Sequence, residues 1–221
     1  MIVVNLFAGP GSGKSTTCAG VFAKLKLAGV NCEMALEYAK DKVWEESNKV
    51  LDDQIYVFGK QLHRIFRLKD KVDVVITDSP ILLSIIYDKT GNKYFSDLVL
   101  NQFNNFENKN YFIRRDTVYN PKGRLQTEDE AKKIDAILID LLEDCKINYK
   151  SVDKENAVDG IFNEVIFRTL NKFLKNFIVI FIHNYIFLII DTTIHPITNT
   201  QTIFIISGPV IFKLISSGII F

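Results

Sequence analysis

The sequence predicts an α/β domain in which a parallel β-sheet is covered by helices on both faces. Up to about Leu170, strand-length runs rich in β-branched residues alternate with amphipathic helical stretches, the order typical of a parallel sheet with crossover helices. The first run passes through a glycine-rich turn directly into a helix-forming stretch. A chain of 221 residues, 48% of them hydrophobic, is long enough for one such core and an appendage.

The predicted elements follow from the spacing of apolar residues. Thr127 and Glu130 form a capping-box pattern at the start of one helix, whose apolar residues then recur at helical spacing. The predicted strands are residues 2–8, 31–36, 72–78, 111–115 and 147–152. The predicted helices are residues 14–28, 53–68, 95–106, 127–144 and 156–170, with a further helix beginning at Lys40.

Charge and cysteine content narrow the class of protein. A formal net charge of +1 argues against a general nucleic-acid binder, which would carry a basic excess, and favours small-molecule partners. The three cysteines lie far apart and match neither a metal spacing nor a disulfide framework, so a reducing cytoplasm is expected. The N-terminus lacks a basic region and is expected to be the first strand rather than a signal peptide.

Composition changes near residue 170, which predicts a boundary between a domain of residues 1–170 and a hydrophobic tail of residues 171–221. From Lys172 to Phe221 there are only three lysines and one acid. Residues 173–190 approach the length of a membrane span but contain polar residues, among them Lys175 and His183. The alternatives are buried apolar sequence or a non-native extension from an AT-rich gene read past or out of its frame.

The glycine-rich turn fits the Walker A pattern, with Ala8 in place of its first glycine. Glycines are needed because successive backbone N–H groups must turn inward around a phosphate. Lys14, expected to be solvated in the free protein, would contact the β- and γ-phosphates of ATP, and Ser15 would bind Mg²⁺. The predicted nucleotide-binding residues are Gly9, Pro10, Gly11, Ser12, Gly13, Lys14, Ser15 and Thr16.

Two acidic residues follow predicted strands and are expected at the same edge of the sheet. Asp78 ends the run Val74 to Thr77, where a carboxylate would bind Mg²⁺ beside Ser15; the alternative is a helix cap. Glu37 follows the second strand and should face the phosphate loop, or else be a solvated acid at a helix N-terminus. The sequence thus predicts Ser15 and Asp78 as metal ligands and Glu37 as a catalytic residue.

Arginines flank a polar segment between the predicted strand 111–115 and the helix 127–144. Arginine suits a γ-phosphate because its planar guanidinium donates two hydrogen bonds to phosphate oxygens. Arg114 and Arg124 are therefore candidate catalytic residues that neutralise the transferring group, with Arg124 favoured, whereas Arg115 is interpreted as an ordinary solvated loop residue.

The helix 53–68 carries polar groups beside an aromatic at helical spacing, an arrangement that suits contacts to a base or ribose. Packing of its apolar side chains into the core is the alternative, and the more probable one for those positions. The residues concerned are Gln54, Phe58, Gln61 and Arg64.

Taken together, the segments GPGSGKST, EYAKD, DQIYVFGKQLHRI, ITDSP and YNPKGRLQTEDEAKKID resemble the AAA-type P-loop family related to the nicotinamide riboside kinase domain, including versions encoded by bacteriophages. The resemblance covers about Met1 to Leu170. It implies a P-loop NTPase fold of three α/β/α layers, nucleoside- or nucleotide-kinase-like, that binds ATP and Mg²⁺. The family usually has arginine where this chain has Lys40, which weakens the expectation of a bidentate grip there.

The sequence predicts an ATP-dependent kinase whose partner is a small-molecule phosphoryl acceptor such as a nucleoside or nucleotide. The alternatives are a non-transferring ATPase or switch, and a membrane-tethered regulator anchored by its tail. A GTPase is not favoured because the Asn-Lys pairs lack the Asp of a guanine-reading motif.

Overall fold

The computed structural model describes residues 1–115 and 127–171 in full, and the backbone of three strands between Ile203 and Ile220. The chain divides into two compact units, Met1–Asn171 and Lys172–Phe221. All of the site residues described below belong to the first unit.

The first unit contains a five-stranded parallel sheet in the order β2-β3-β1-β4-β5. Its strands are β1 (Ile2–Phe7), β2 (Cys32–Ala35), β3 (Val74–Thr77), β4 (Glu107–Arg114) and β5 (Lys150–Asp153). Its helices are α1 (Lys14–Leu27), α2 (Tyr38–Trp44), α3 (Gln54–Phe66), α4 (Leu83–Tyr87), α5 (Lys93–Asn104), α6 (Glu128–Asp144) and α7 (residues 154–171), with a 3-10 helix at Asn48–Asp52.

Strand β1 lies at the centre of the sheet and is buried along its whole length. Because side chains alternate along a strand, Val4 and Leu6 pack with α1 and α7, whereas Val3 and Phe7 pack with α3 to α6. Helices therefore cover both faces of the sheet. This arrangement confirms the predicted three-layer α/β/α fold.

Strand β4 begins four residues earlier than the sequence predicts, in the polar stretch Glu107 to Asn110. Four consecutive polar residues do not resemble a buried strand. The Asn5 side chain of β1 donates hydrogen bonds to the Asn108 and Asn110 side-chain oxygens, at 2.9 and 3.0 Å. These bonds satisfy the polar groups across the β1–β4 pair, so a polar sequence can continue the sheet.

The second unit contains three antiparallel strands, β6 (Ile203–Ser207), β7 (Val210–Ile215) and β8 (Gly218–Ile220), which the sequence analysis does not predict. Among the described residues, no helix is long and apolar enough to span a bilayer. The candidate membrane segment, residues 173–190, lies outside the described residues.

Candidate nucleotide-binding site

The loop between β1 and α1 turns through two glycines whose backbone lies in the left-handed region. Gly11 has φ 85° and Gly13 has φ 96°, conformations that side chains disfavour. A Cβ on Gly13 would also lie 3.1 Å from Cε of Lys154, the first residue of α7. Glycine is therefore required for the loop to curl at the N-terminus of α1, where backbone N–H groups and the helix dipole favour an anion.

Lys14 is half-buried and contacts the loop itself, contrary to the expectation of a solvated side chain. Its Nζ donates hydrogen bonds to the carbonyl oxygens of Ala8 at 2.7 Å and Gly9 at 2.9 Å. Burial lowers the pKa of Lys14, while the nearby carboxylates of Glu37 and Asp78 act in the opposite direction. The ammonium group is thus held within the loop, at the start of α1.

Asp78 is buried at the end of β3 and contacts Ser15 directly. The Ser15 hydroxyl donates a 2.6 Å hydrogen bond to Asp78 Oδ2, and Asp78 Oδ1 is buried without a partner among the described residues. A carboxylate and a hydroxyl are oxygen ligands of the kind Mg²⁺ takes, usually one or two from protein together with phosphates and waters. The Ser15 and Asp78 oxygens therefore fit Mg²⁺ that is bound together with phosphates.

Glu37 lies two residues beyond β2, at the N-cap position of α2. Its side chain makes no capping hydrogen bond within the described part of the chain. Burial raises the pKa of Glu37, an effect that the nearby Lys14 partly offsets. The carboxyl group and the phosphate loop line the same cavity, the placement that the sequence analysis expects.

The cavity has a volume of about 640 Å³, within the range of pockets that hold small ligands. Its wall is formed by the phosphate loop, by α2 and the following 3-10 helix, and by α3 and α4. Trp44 lies on this wall and is 65% exposed. Lys40, Lys49 and Lys89 also line it, so the cavity presents cationic side chains beside the loop.

Helix α3 contributes to the cavity differently from what its sequence suggests. Phe58 belongs to the core, where it packs edge-on against Phe95. Gln61 accepts a 2.9 Å hydrogen bond from the Tyr38 backbone N–H, and Arg64 donates a 3.0 Å bond to the Leu36 carbonyl. These two side chains thus join α3 to the segment that carries Glu37. Gln61 also lines the cavity, and its contact to a base or ribose stays a prediction.

Gln54, at the start of α3, also lines the cavity and is buried. Its Nε2 donates to the Leu51 carbonyl at 2.7 Å, which fixes the orientation of the amide. The buried Oε1 has no partner among the described residues. A buried acceptor without a partner costs free energy, so this oxygen is available to a ligand donor.

The arginines that follow β4 have different surroundings. Arg114 is exposed and forms an ion pair with Asp153, its register partner at the end of β5; its Nε donates to Oδ1 at 2.7 Å. Arg115 is buried against the phosphate loop, so its interpretation as a solvated loop residue is wrong. Arg124 lies outside the described residues.

Arg115 meets the loop together with Asp135 of α6, a residue that the sequence analysis does not single out. Arg115 Nη1 donates to the Pro10 carbonyl at 2.8 Å, and the Gly9 backbone N–H donates to Asp135 Oδ1. Asp135 lies on the buried face of α6, at helical spacing from the buried residues Ala131, Leu138 and Leu142. An acid at helical spacing from these apolar residues, inside the quoted segment TEDEAKKID, is the sequence feature that could have drawn attention to it.

Comparison with known proteins decides the family. A family model described as an AAA domain matches residues 3–159, well over half of the 221 residues. The chain belongs to the AAA domain family. The match confirms the AAA-type P-loop family that the sequence predicts, and it spans every described residue assigned above to the site. No curated protein sequence is significantly similar to this AAA domain protein.

Solved structures similar to this AAA domain include deoxyadenosine kinase from M. mycoides. The structure with products dCMP and a flexible dCDP bound is 15% identical, with a TM-score of 0.47, and the match covers 74% of this chain and 98% of the kinase. The structure with bound dATP is 18% identical, with a TM-score of 0.44 and the same coverage of both chains.

Proposed function

We propose that this AAA domain protein is an ATP-dependent kinase that transfers the γ-phosphoryl group to a nucleoside, a nucleotide or a related small molecule. The observation that carries the proposal is the shared cavity of Glu37 and the phosphate loop. Hydrolysis needs room only for water at the γ-phosphate. A cavity of about 640 Å³ with a carboxylate on its wall has room for an acceptor as well.

The proposed roles follow the positions of the side chains. The loop amides and Lys14 bind the β- and γ-phosphates, and Lys14 gives up its bonds to the Ala8 and Gly9 carbonyls to do so. Glu37 orients the acceptor hydroxyl or phosphate and takes its proton; its raised pKa makes it a stronger base than an ordinary glutamate. Arg114 and Arg124 are proposed to neutralise the transferring group, which requires Arg114 to leave Asp153.

Ser15 and Asp78 are proposed to hold Mg²⁺, because their oxygens lie together and Asp78 Oδ1 has no other partner among the described residues. When bound, the ion would offset the negative charge of the nucleotide phosphates. The proposed chemistry lies wholly within residues 1–170, the first of the two predicted domains.

The cavity wall supports an acceptor with a ring system and anionic or polar groups. Trp44 offers an exposed aromatic face, and Gln54 offers a buried hydrogen-bond acceptor. Lys40 and Lys49 would attract negative charge, which favours phosphorylated compounds over neutral ones.

The experiment is a screen of nucleosides, nucleoside monophosphates and nicotinamide riboside for acceptor-dependent release of ADP from ATP. We expect at least one compound to raise the release rate well above the rate with water alone. ATP hydrolysis that no compound in the panel accelerates would favour the alternative, a non-transferring ATPase.

A further inference from the structure

Arg115 and Asp135 form an ion pair that is buried against the phosphate loop. Arg115 Nε donates to Asp135 Oδ2 at 2.9 Å, and the two side chains are 9% and 17% exposed. The other ion pairs near the loop and along α6, such as Arg114 with Asp153 and Lys132 with Glu128, are about half exposed. Exposed pairs contribute little, whereas removing one member of a buried pair leaves an uncompensated buried charge, which is costly.

Both members of this pair also bind the loop backbone. Asp135 Oδ1 accepts the Gly9 N–H, and Arg115 Nη1 donates to the Pro10 carbonyl at 2.8 Å. Three hydrogen bonds and the Gly9–Pro10 peptide bond therefore join the four residues in a closed ring. The ring joins the first turn of the phosphate loop to the end of β4 and to α6.

The packing at Gly9 shows how closely the loop approaches α6. A Cβ on Gly9 would lie 2.4 Å from the Ala131 carbonyl oxygen and 3.0 Å from Asp135 Oδ1. Such an approach leaves no room for a side chain. The start of the loop thus rests directly on the helix that carries Asp135.

Lys14 donates to carbonyl oxygens of the same stretch, those of Ala8 and Gly9. The proposed nucleotide complex requires Lys14 to leave these carbonyls for the phosphates. Among the residues that the structure describes, the side-chain hydrogen bonds that then remain on Gly9 and Pro10 come from the Ser12 hydroxyl, 3.2 Å from the Gly9 carbonyl, and from the ion pair.

We infer that Arg115 and Asp135 are positioning residues that hold Gly9 and Pro10 in the nucleotide-binding conformation after Lys14 has moved to the phosphates. The inference rests on the proposed nucleotide site. Without the pair, the start of the loop populates other conformations, and the apparent affinity falls in proportion to the fraction that remains competent to bind.

The first test is Asp135→Asn, which keeps the size of the side chain but removes its charge. The affinity for ATP with Mg²⁺ is measured by isothermal titration calorimetry, well below the melting temperature of each protein. We expect affinity to fall about 10- to 100-fold, the usual effect of losing a hydrogen bond to a charged group. Asp140→Asn, at an exposed position of the same helix, is the matched control and should bind as the wild type does.

The second test separates loop positioning from a simple ion pair. Exchanging the charges, Arg115→Asp with Asp135→Arg, restores an ion pair but turns a guanidinium toward the Gly9 N–H. If positioning is the role, the exchanged protein regains melting temperature over the single variants but not ATP affinity. Recovery of affinity in the exchanged protein, or wild-type affinity in Asp135→Asn, overturns the inference. If the exchanged protein does not fold, Asp135→Asn alone decides.

Both tests use ATP without an acceptor, so they do not depend on phosphoryl transfer. Weakened binding by Asp135→Asn in a protein that finds no acceptor would retain the inference and reject the kinase. Undiminished ATP binding by Asp135→Asn in a protein that transfers phosphate would reject the inference and retain the kinase.

Discussion

Ser15 and Asp78 are joined by a 2.6 Å hydrogen bond from the serine hydroxyl to Asp78 Oδ2, which connects the start of α1 with the end of β3. The second carboxylate oxygen is buried and without a partner among the described residues. Leaving a buried acceptor unsatisfied costs free energy that a bound ligand can recover. We therefore expect both side chains to take part when the nucleotide and the metal bind.

Asp78→Asn should weaken the dependence of nucleotide binding on Mg²⁺. The amide keeps the shape of the side chain but removes the negative charge, so we expect the benefit of Mg²⁺ for ATP affinity to fall at least about tenfold. Calorimetric titrations of ATP with and without Mg²⁺ measure this. An unchanged ratio of the two affinities would remove Asp78 from the metal site.

Lys14→Ala should strongly weaken nucleotide binding and phosphoryl transfer while the protein stays folded. The substitution removes two hydrogen bonds to the loop but also a half-buried cation, so the two effects on stability oppose each other. Transfer should fall by about 10²- to 10³-fold or more, as for the loss of a charge that stabilises the transferring group. Lys26→Ala, an exposed lysine on the same helix, is the control. A wild-type rate in Lys14→Ala would show that the site is misassigned.

Glu37→Gln should stabilise the folded protein at neutral pH. Burial raises the pKa of Glu37 in the folded state, so the unfolded chain loses this proton at lower pH. The free energy of unfolding therefore decreases as pH rises from the unfolded-state pKa through the folded-state pKa. Glutamine does not titrate, so the variant does not lose this stability. We expect a higher melting temperature than wild type at about pH 7.5 and no difference below about pH 4.

Exposed Glu155 supplies the control. It lies in the first turn of α7, where the helix dipole favours a carboxylate, so Glu155→Gln should not raise the melting temperature at about pH 7.5. A Glu37→Gln protein that melts lower than the wild type at neutral pH would mean that the carboxylate is stabilised in the fold. The proposed role of Glu37 as a base with a raised pKa would then be wrong.

Several features could be predicted from short stretches of sequence because their causes are local. The six residues of β1 are all apolar or buried, and the glycines that follow fit only a tight loop before a helix. Asp78 could be placed because the carboxyl ends of parallel strands lie at one edge of the sheet. The same rule put Glu37 on the side of the phosphate loop.

Other features depend on partners far away in the chain. Arg115 lies 20 residues before Asp135, and nothing in the neighbouring sequence distinguishes a buried arginine from a solvated one. Gln61 lines the cavity, but its amide oxygen already accepts a hydrogen bond from the Tyr38 backbone N–H, which the sequence does not indicate. Tertiary contacts of this kind decide which polar groups remain for a ligand, and periodicity does not report them.

Trp44 should report the occupancy of the cavity through its fluorescence. It is the only tryptophan of the chain, lines the cavity and is 65% exposed. A ligand that covers the indole should shift its emission to shorter wavelength or quench it. Titrating each candidate acceptor measures this, and Trp44→Phe should lose the signal while calorimetry still detects binding. An acceptor that binds without altering Trp44 emission would lie elsewhere.

The central claim is that Glu37 acts on an acceptor rather than on water. The most direct measurement is single-turnover transfer from ATP to the best acceptor, run beside ATP hydrolysis without acceptor, for the wild type and Glu37→Gln. Because glutamine keeps the size but not the basicity, transfer should fall by about 10²- to 10⁴-fold, while ATP affinity changes little. A Glu37→Gln protein that transfers phosphate at the wild-type rate would contradict the proposed role of Glu37. The kinase proposal itself would be contradicted by two results together. No acceptor would raise ADP release above the rate of hydrolysis, and Glu37→Gln would leave that hydrolysis rate unchanged.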